Sequence, residues 1–358
     1  MSATPTPPVL NGFKIGRLLG QGGMATVWEA HQIDPDRMVA IKVLDAGIAS
    51  NPRDIDAFYS EAKAAAALDH PNIVTVFELG CQKGLYYYVM ELAAGYDTGK
   101  WLARKGHLTE QDALTIAESV GIALDYADRT LGLTHCDIKP SNIMVDDDGT
   151  VRVTDMGIAR FPRSTDTSDC IAGTPEYMSP EQAAGVEALD ARADIYSLGA
   201  TLYHYLSGRP LFGGRGETET LECQRSACAP DVRTMNPAVS APCAVMIARF
   251  LAKDRADRPS GWGEAIAMVR EAMALGEAAA RGAPRPARGP LASFDRPSSM
   301  ALGDRAAPLA AAQAPAQEPK ATGEPKRPAH FPSTSFWIWT ALASAAAFVT
   351  AFIAARFF

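Results

Sequence analysis

No C-x-x-C pair occurs among the six cysteines, Cys81, Cys136, Cys170, Cys223, Cys228 and Cys243. That spacing marks zinc ribbons and dithiol redox sites, so its absence points to reduced thiols in a cytosolic setting and no cysteine-bound metal. Positive charge is also short: the formal net charge is −7, which argues against a nucleic-acid partner held through its phosphates. The opening MSATPTPPVL lacks a basic stretch followed by an apolar one, so no secretory signal is expected there. The one glycine-rich turn near the start is not followed by Gly-Lys-Ser/Thr, which excludes a Walker-A loop. No segment repeats internally.

What is present divides into regions. The 358 residues include an ordinary hydrophobic share of 47%, enough for a sizeable core. After an extension over residues 1–12, residues 13–275 carry the mixed periodicity of a folded domain. Residues 276–335, with RGAPRPARGP and EPKATGEPKRP, are rich in Ala, Pro and Gly and poor in large apolar side chains. Such a segment buries too little to offset the entropy of ordering, so it reads as a linker. Residues 336–355, FWIWTALASAAAFVTAFIAA, hold no charge. That is about the 20 residues a helix needs to span a bilayer. Trp337 and Trp339 suit a membrane interface, and Lys320, Lys326 and Arg327 before the span outnumber Arg356 after it. The expectation is a single pass in a bacterial inner membrane, with the folded domain in the cytoplasm and only residues 356–358 beyond the span. An Ala-rich helix packed against the domain or a partner is the other reading of this segment.

The first hundred residues read as strand-rich. FKIGRLLG, TVWEAHQI, MVAIKVLD, VTVFELG and LYYYVMEL are β-branched or aromatic runs bounded by turn residues. One helix is expected among them, over residues 54–68, with Ile55, Phe58, Tyr59, Ala62 and Ala66 at helical spacing. After Ala94 the pattern turns helical, as in TEQDALTIAESVGIALDYAD and ADIYSLGATLYHYLSG. Strands first and helices after predict an α+β domain of two lobes.

Several residue sets suit phosphate chemistry. Gly20-Gln21-Gly22-Gly23 lies between two strand runs, and glycines let a backbone approach a phosphate closely. Taken alone it reads as readily as a hairpin turn. Lys42 sits in the apolar run VAIKV, where an ammonium needs an anion or an exit to solvent. Glu61 lies on the expected helix, either facing Lys42 or solvated. In THCDIKPSN, Asp137 and Asn142 fall on a loop in which Pro140 forbids regular helix. Asp155 follows Asn142 by thirteen residues, in TDMG. Asp and Asn oxygens are suitable hard ligands for magnesium, and a carboxylate such as Asp137 can accept a proton from an attacking hydroxyl.

The joint order of glycine loop, strand lysine, helix glutamate, HCDIKPSN, DMG and SPE resembles the signature set of bacterial eukaryotic-like (Hanks-type) serine/threonine protein kinases, over roughly residues 13–273. The resemblance implies a two-lobed kinase fold, here with a C-terminal transmembrane helix, and ATP with Mg2+ (Mn2+ as the alternative ion) acting on protein substrates. It implies that Leu19, Gly20, Gln21, Gly22 and Gly23 cover the phosphates and that Lys42 holds them while pairing with Glu61. Val27, Ala40 and Met144 would enclose the base behind Met90, backbone groups of Glu91 and Ala93 would meet adenine, and Asp97 the ribose. Asp137 would be the catalytic aspartate, Lys139 would reach the γ-phosphate, and Asn142 and Asp155 would hold the metal. Thr174 in GTPEYMSPEQ would touch Asp137 and Lys139 on the substrate side. Glu181 would pair with Arg258, and Asp194 would anchor the catalytic loop from beneath. Ser164, Thr165, Thr167 and Ser168 are the candidate phosphorylation sites.

Three residues depart from the family pattern. Cys136 stands where an arginine usually precedes the catalytic aspartate and reads an activation-loop phosphate, so that coupling is expected to be weak. A small packed side chain and a redox switch are its two readings. Met156 replaces a phenylalanine and Ala25 a third glycine. A pseudokinase scaffold is the alternative function, against which the intact Lys42, Asp137, Asn142 and Asp155 argue. A small-molecule kinase is a further rival, against which the complete GTPEYMSPE segment argues. A stripe of Ala343, Ala347, Ala351 and Ala355 would favour a homodimer through the span.

Overall fold

The structure, a computed structural model, describes residues 5–156, 173–186 and 188–280. The candidate phosphorylation sites, the expected linker beyond residue 280 and the expected span lie outside them. Among the described residues no helix is long and apolar enough to cross a membrane.

The N-lobe is a five-stranded antiparallel sheet. Strands β1 (Phe13–Gln21), β2 (Ala25–Gln32), β3 (Arg37–Leu44), β4 (Val76–Gln82) and β5 (Leu85–Glu91) stand in the order β1-β2-β3-β5-β4. Strand β3 is therefore central, flanked by β2 and β5. Alternation along β3 sends Val39, Ile41 and Val43 into an outer apolar layer with Trp28, Ala30, Tyr87 and Val89. Lys42 and Leu44 go to the opposite face, where Leu44 joins the main core.

Helix α1 (Pro52–Ala66) crosses that inner face. Its start is fixed by Asn51, whose side chain accepts the Arg53 N–H, and by Pro52, which needs no donor in the first turn. The helix begins two residues before the expected start. Its buried line is Phe58, Glu61, Ala62 and Ala65, with Ala66 exposed instead of buried. Four consecutive alanines, Ala64 to Ala67, give the sequence no way to mark which of them meets the core.

The C-lobe is helical. After the short β6 (Tyr96–Asp97) come α2 (Thr98–Lys105) and α3 (Glu110–Leu131), then a hairpin of β7 (Ile143–Val145) and β8 (Val151–Val153) that completes a three-stranded sheet with β6. The short α4 (Pro180–Ala183) leads to α5 (Ala191–Ser207), α6 (Glu217–Ser226), α7 (Ala241–Phe250) and α8 (Trp262–Ala280). Helix α8 runs on beyond residue 275. Helix α5 is the buried axis of this lobe: Ile195, Tyr196, Ala200, Leu202 and Tyr205 are fully enclosed. It ends at Gly208, φ +74°, where a Cβ would lie 2.7 Å from the Gly106 carbonyl oxygen, so both backbone and space require glycine.

Candidate active site

The site forms where the inner face of the N-lobe sheet meets the β7–β8 hairpin. Lys42 donates to Glu61 Oε1 at 2.8 Å and to Asp155 Oδ1 at 2.8 Å. Glu61 is not a solvated carboxylate; it is 9% exposed. Burial alone would discharge the Lys42 ammonium, but attraction by Asp155, with Tyr88 and Glu61, outweighs it and holds the group well above the ordinary lysine value. The lysine is thus a fixed positive charge inside the cleft. Asp155 sits at φ +52°, a backbone region that non-glycine residues seldom adopt.

Beneath this triangle lies the loop before β7. Asp137 is 6% exposed. Asn142 donates its Nδ2 to the Asp137 carbonyl at 2.9 Å and to Asp137 Oδ2 at 3.0 Å. Lys139 Nζ lies 2.9 Å from Asp137 Oδ2 and donates to Thr174 Oγ1 at 2.7 Å. Pro140 opens a single 3₁₀ turn, Pro140–Asn142, as its fixed φ favours. Its carbonyl accepts the buried Thr98 hydroxyl at 2.7 Å.

The loop is held from below as well. Asp194 accepts the His135 N–H at 2.6 Å and the Cys136 N–H at 2.7 Å. Burial pushes this carboxyl up to about 6, against the pull of His135 and of those two N–H groups. Cys136 itself is buried and sits at φ +66°. Gln182 donates to the Cys136 carbonyl at 2.8 Å. Three hydrogen bonds therefore fix a backbone geometry that a side-chain-bearing residue would otherwise avoid. Met156, in place of a phenylalanine, is enclosed in the main core.

The remaining candidates fall around the same cleft. Val27 pairs with Lys42 and Gly20 across the sheet, Ala40 pairs with Met90, and Met144 pairs with Asp97. Gly22 N–H donates to the Ala25 carbonyl at 2.9 Å and closes the turn between β1 and β2. A Cβ on Gly20 or Gly23 would meet nothing within 4 Å, and neither has a φ in the left-handed region. Neither packing nor backbone shape calls for glycine at these two positions, which fits a loop shaped for a close-lying phosphate. Asn142 and Asp155 are a two-ligand set. The Asn142 amide nitrogen is committed to Asp137, which leaves its carbonyl oxygen, 3.5 Å from the Ser141 hydroxyl, as the atom that could hold a metal. Magnesium, which keeps waters and phosphate oxygens, suits so few protein ligands. Among the described residues no group of three or more His, Cys, Asp or Glu forms a metal cage.

Residues 13–273 match the protein kinase domain model. The chain belongs to the protein kinase domain family. The kinase domain is 38% identical over 244 residues to the serine/threonine-protein kinase PrkC of Bacillus subtilis, covering 68% of this chain and 37% of PrkC. It is 38% identical over 211 residues to the serine/threonine-protein kinase PknA of Mycobacterium tuberculosis, covering 57% of this chain and 48% of PknA. The chain thus spans less than half the length of these relatives. Among solved structures, the Mycobacterium tuberculosis PknI kinase domain superposes with a TM-score of 0.59 at 28% identity, over 75% of this chain and 100% of that one. The family implies ATP and a divalent metal for this kinase domain.

Three features of the kinase domain escaped the sequence reading. Asp97, expected only at a ribose, also caps α2 by accepting the Lys100 N–H at 2.8 Å; an Asp directly before a helical run is the signal that would have shown it. Ser179 and Gln182 form a capping box, and the string Ser-Pro-Glu-Gln carries that signature. The substrate-side turn Pro175–Tyr177 is gripped from two helices. Gln224 on α6 donates to the Pro175 carbonyl at 3.0 Å, and the Tyr177 hydroxyl lies 2.7 Å from His204 Nδ1 on α5. Burial pulls His204 down to about 4, so its ring stays neutral at neutral pH.

Proposed function

We propose that this chain is a serine/threonine protein kinase that transfers the γ-phosphoryl group of ATP, with Mg2+, to protein hydroxyls. The observation that carries the reading is the Asp137–Lys139–Thr174 chain, which ties the candidate base to the substrate-side loop through one ammonium. Asp137 orients the incoming hydroxyl and takes its proton, while Lys139 supplies positive charge beside the same oxygen. Lys42, kept cationic and aimed by Glu61, binds the α- and β-phosphates. A divalent ion held by Asn142 and Asp155 would neutralise charge building on the β- and γ-oxygens. The test is transfer of labelled γ-phosphate from ATP and Mg2+ to the chain itself or to an added protein, followed by acid-stable mapping to Ser or Thr. Label on tyrosine alone, or none, refutes the assignment.

Two finer proposals follow. Cys136 offers no cation to a phosphorylated loop, so activity is only weakly coupled to the hydroxyls at 164, 165, 167 and 168. Replacing Ser164, Thr165, Thr167 and Ser168 together by Ala should lower activity toward an added substrate by less than about threefold. Near-complete loss would contradict this.

The other concerns residues 336–355, which tether the kinase domain to the cytoplasmic face of a bacterial inner membrane and self-associate through the alanine stripe. The support is length, absence of charge, the paired tryptophans and the basic residues before the span. The full chain should sediment with membranes and resist alkaline carbonate, while a chain ending at residue 335 should stay in the supernatant. Equal distribution of the two removes the tether.

A further inference from the structure

Strand β5 carries three tyrosines in succession, Tyr86, Tyr87 and Tyr88. Alternation separates neighbours: Tyr87 joins the outer apolar layer, whereas Tyr88 joins the main core and is 2% exposed. A phenol so deep needs a partner for its hydroxyl. The partner is Glu61: Tyr88 donates to Glu61 Oε1 at 3.0 Å, the oxygen that also accepts Lys42. The Tyr88 ring packs on Phe58 of α1 with centroids 5.1 Å apart, and the Lys42 ammonium lies 5.6 Å from the ring centre. One side chain therefore touches both members of the ion pair and the helix that carries one of them.

Among the described residues the structure records no other hydroxyl on Glu61. Phe58, Ala62 and Ala65 hold the body of α1 by apolar packing, and the Tyr59 hydroxyl ties it to the Gly80 carbonyl at 2.7 Å. Neither contact sets the rotamers of Glu61. Lys42 cannot set them alone, because it divides its hydrogen bonds between Glu61 and Asp155. The Tyr88 hydroxyl, on a ring locked by packing, is a directional second donor to the same oxygen. Burial holds its proton on well above the ordinary tyrosine range, so it remains a donor.

We propose that Tyr88 is a positioning residue whose hydroxyl fixes Glu61 against Lys42 and so latches α1 to the sheet from within the N-lobe. The latch is a property of the fold; its effect on ATP rests on the kinase reading. Tyr88→Phe in the full chain deletes one oxygen and keeps the ring, and Tyr88→Met serves if the phenyl variant folds poorly. Hydrogen exchange over residues 52–66 should quicken in Tyr88→Phe relative to the parent chain. It should show much less further quickening when Tyr88→Phe is added to Glu61→Ala, because that carboxylate is the hydroxyl's link to α1. This pattern sustains the inference. No quickening in the parent, or equal quickening in both backgrounds, overturns it. The ATP dissociation constant by calorimetry should rise about tenfold in Tyr88→Phe. A parent chain that fails to bind ATP would strike the kinase reading and leave the exchange result to decide the latch.

Discussion

Replacing Asp137 by Asn is expected to slow phosphoryl transfer by about two to four orders of magnitude, the range that a positioned general base supplies. The substitution is nearly isosteric, so the loop should persist: Asp194 still holds the His135 and Cys136 N–H groups, and Thr98 still holds the Pro140 carbonyl. What changes is chemistry. The carboxylate that receives Lys139 and Asn142 becomes an amide with one acceptor oxygen and no negative charge. The lysine is then left with Thr174 and loses its counter-ion. On the proposed function ATP is held elsewhere, by the glycine loop and Lys42, so the loss should fall on kcat while the KM for ATP stays near the parent value. Initial-rate measurements over a range of ATP concentrations check this. Equal labelling by variant and parent would falsify the assignment of Asp137.

The second large effect concerns stability. Arg258 is 2% exposed, and each of its five N–H donors has an acceptor. Nη1 reaches Glu181 Oε1 at 2.7 Å and the Arg192 carbonyl at 2.9 Å. Nη2 reaches Glu181 Oε2 at 2.9 Å and the Lys253 carbonyl at 3.1 Å, and Nε reaches the Ala252 carbonyl at 2.7 Å. Arg258→Ala leaves a largely buried carboxylate and three carbonyls without these donors, a loss of about 3–5 kcal/mol. For a domain of this size the melting temperature should fall on the order of 10 °C. Arg258→Lys should recover little, because an ammonium has three donors and no planar fork. The contrast is Arg17, whose side chain is 68% exposed in its pair with Glu29; Arg17→Ala should change stability by less than about 1 kcal/mol. Equal melting temperatures for Arg258→Ala and the parent would remove the ion pair as a structural anchor.

Much of this was legible in the sequence, for physical reasons. β-branched and aromatic runs bounded by turn residues marked all five N-lobe strands, of which β1, β2, β3 and β5 supply the outer layer while β4 packs on α1. The cleft residues were legible only jointly, because Lys42, Glu61, Asp137 and Asp155 each have an ordinary structural reading alone. Their shared order brought them together, and the fold joins Lys42, Glu61 and Asp155 by hydrogen bonds while tying Asp137 to Asn142 and Lys139. Illegible were contacts that depend on register rather than type. Nothing in Tyr86-Tyr87-Tyr88 tells which ring turns inward or that its hydroxyl meets Glu61. The run Ala64 to Ala67 hides its own buried member. The two-residue strand β6 is too short to carry a period, and Gln224 and His204 reach the substrate-side turn across more than 25 residues of chain.

The glycines at 20 and 23 set two demands on the chain against each other. An alanine at either position would meet no neighbour, and a backbone with fewer unfolded conformations would fold more readily. By the criterion of foldability these two residues are misplaced. A sequence selected for stability alone would place alanine at both.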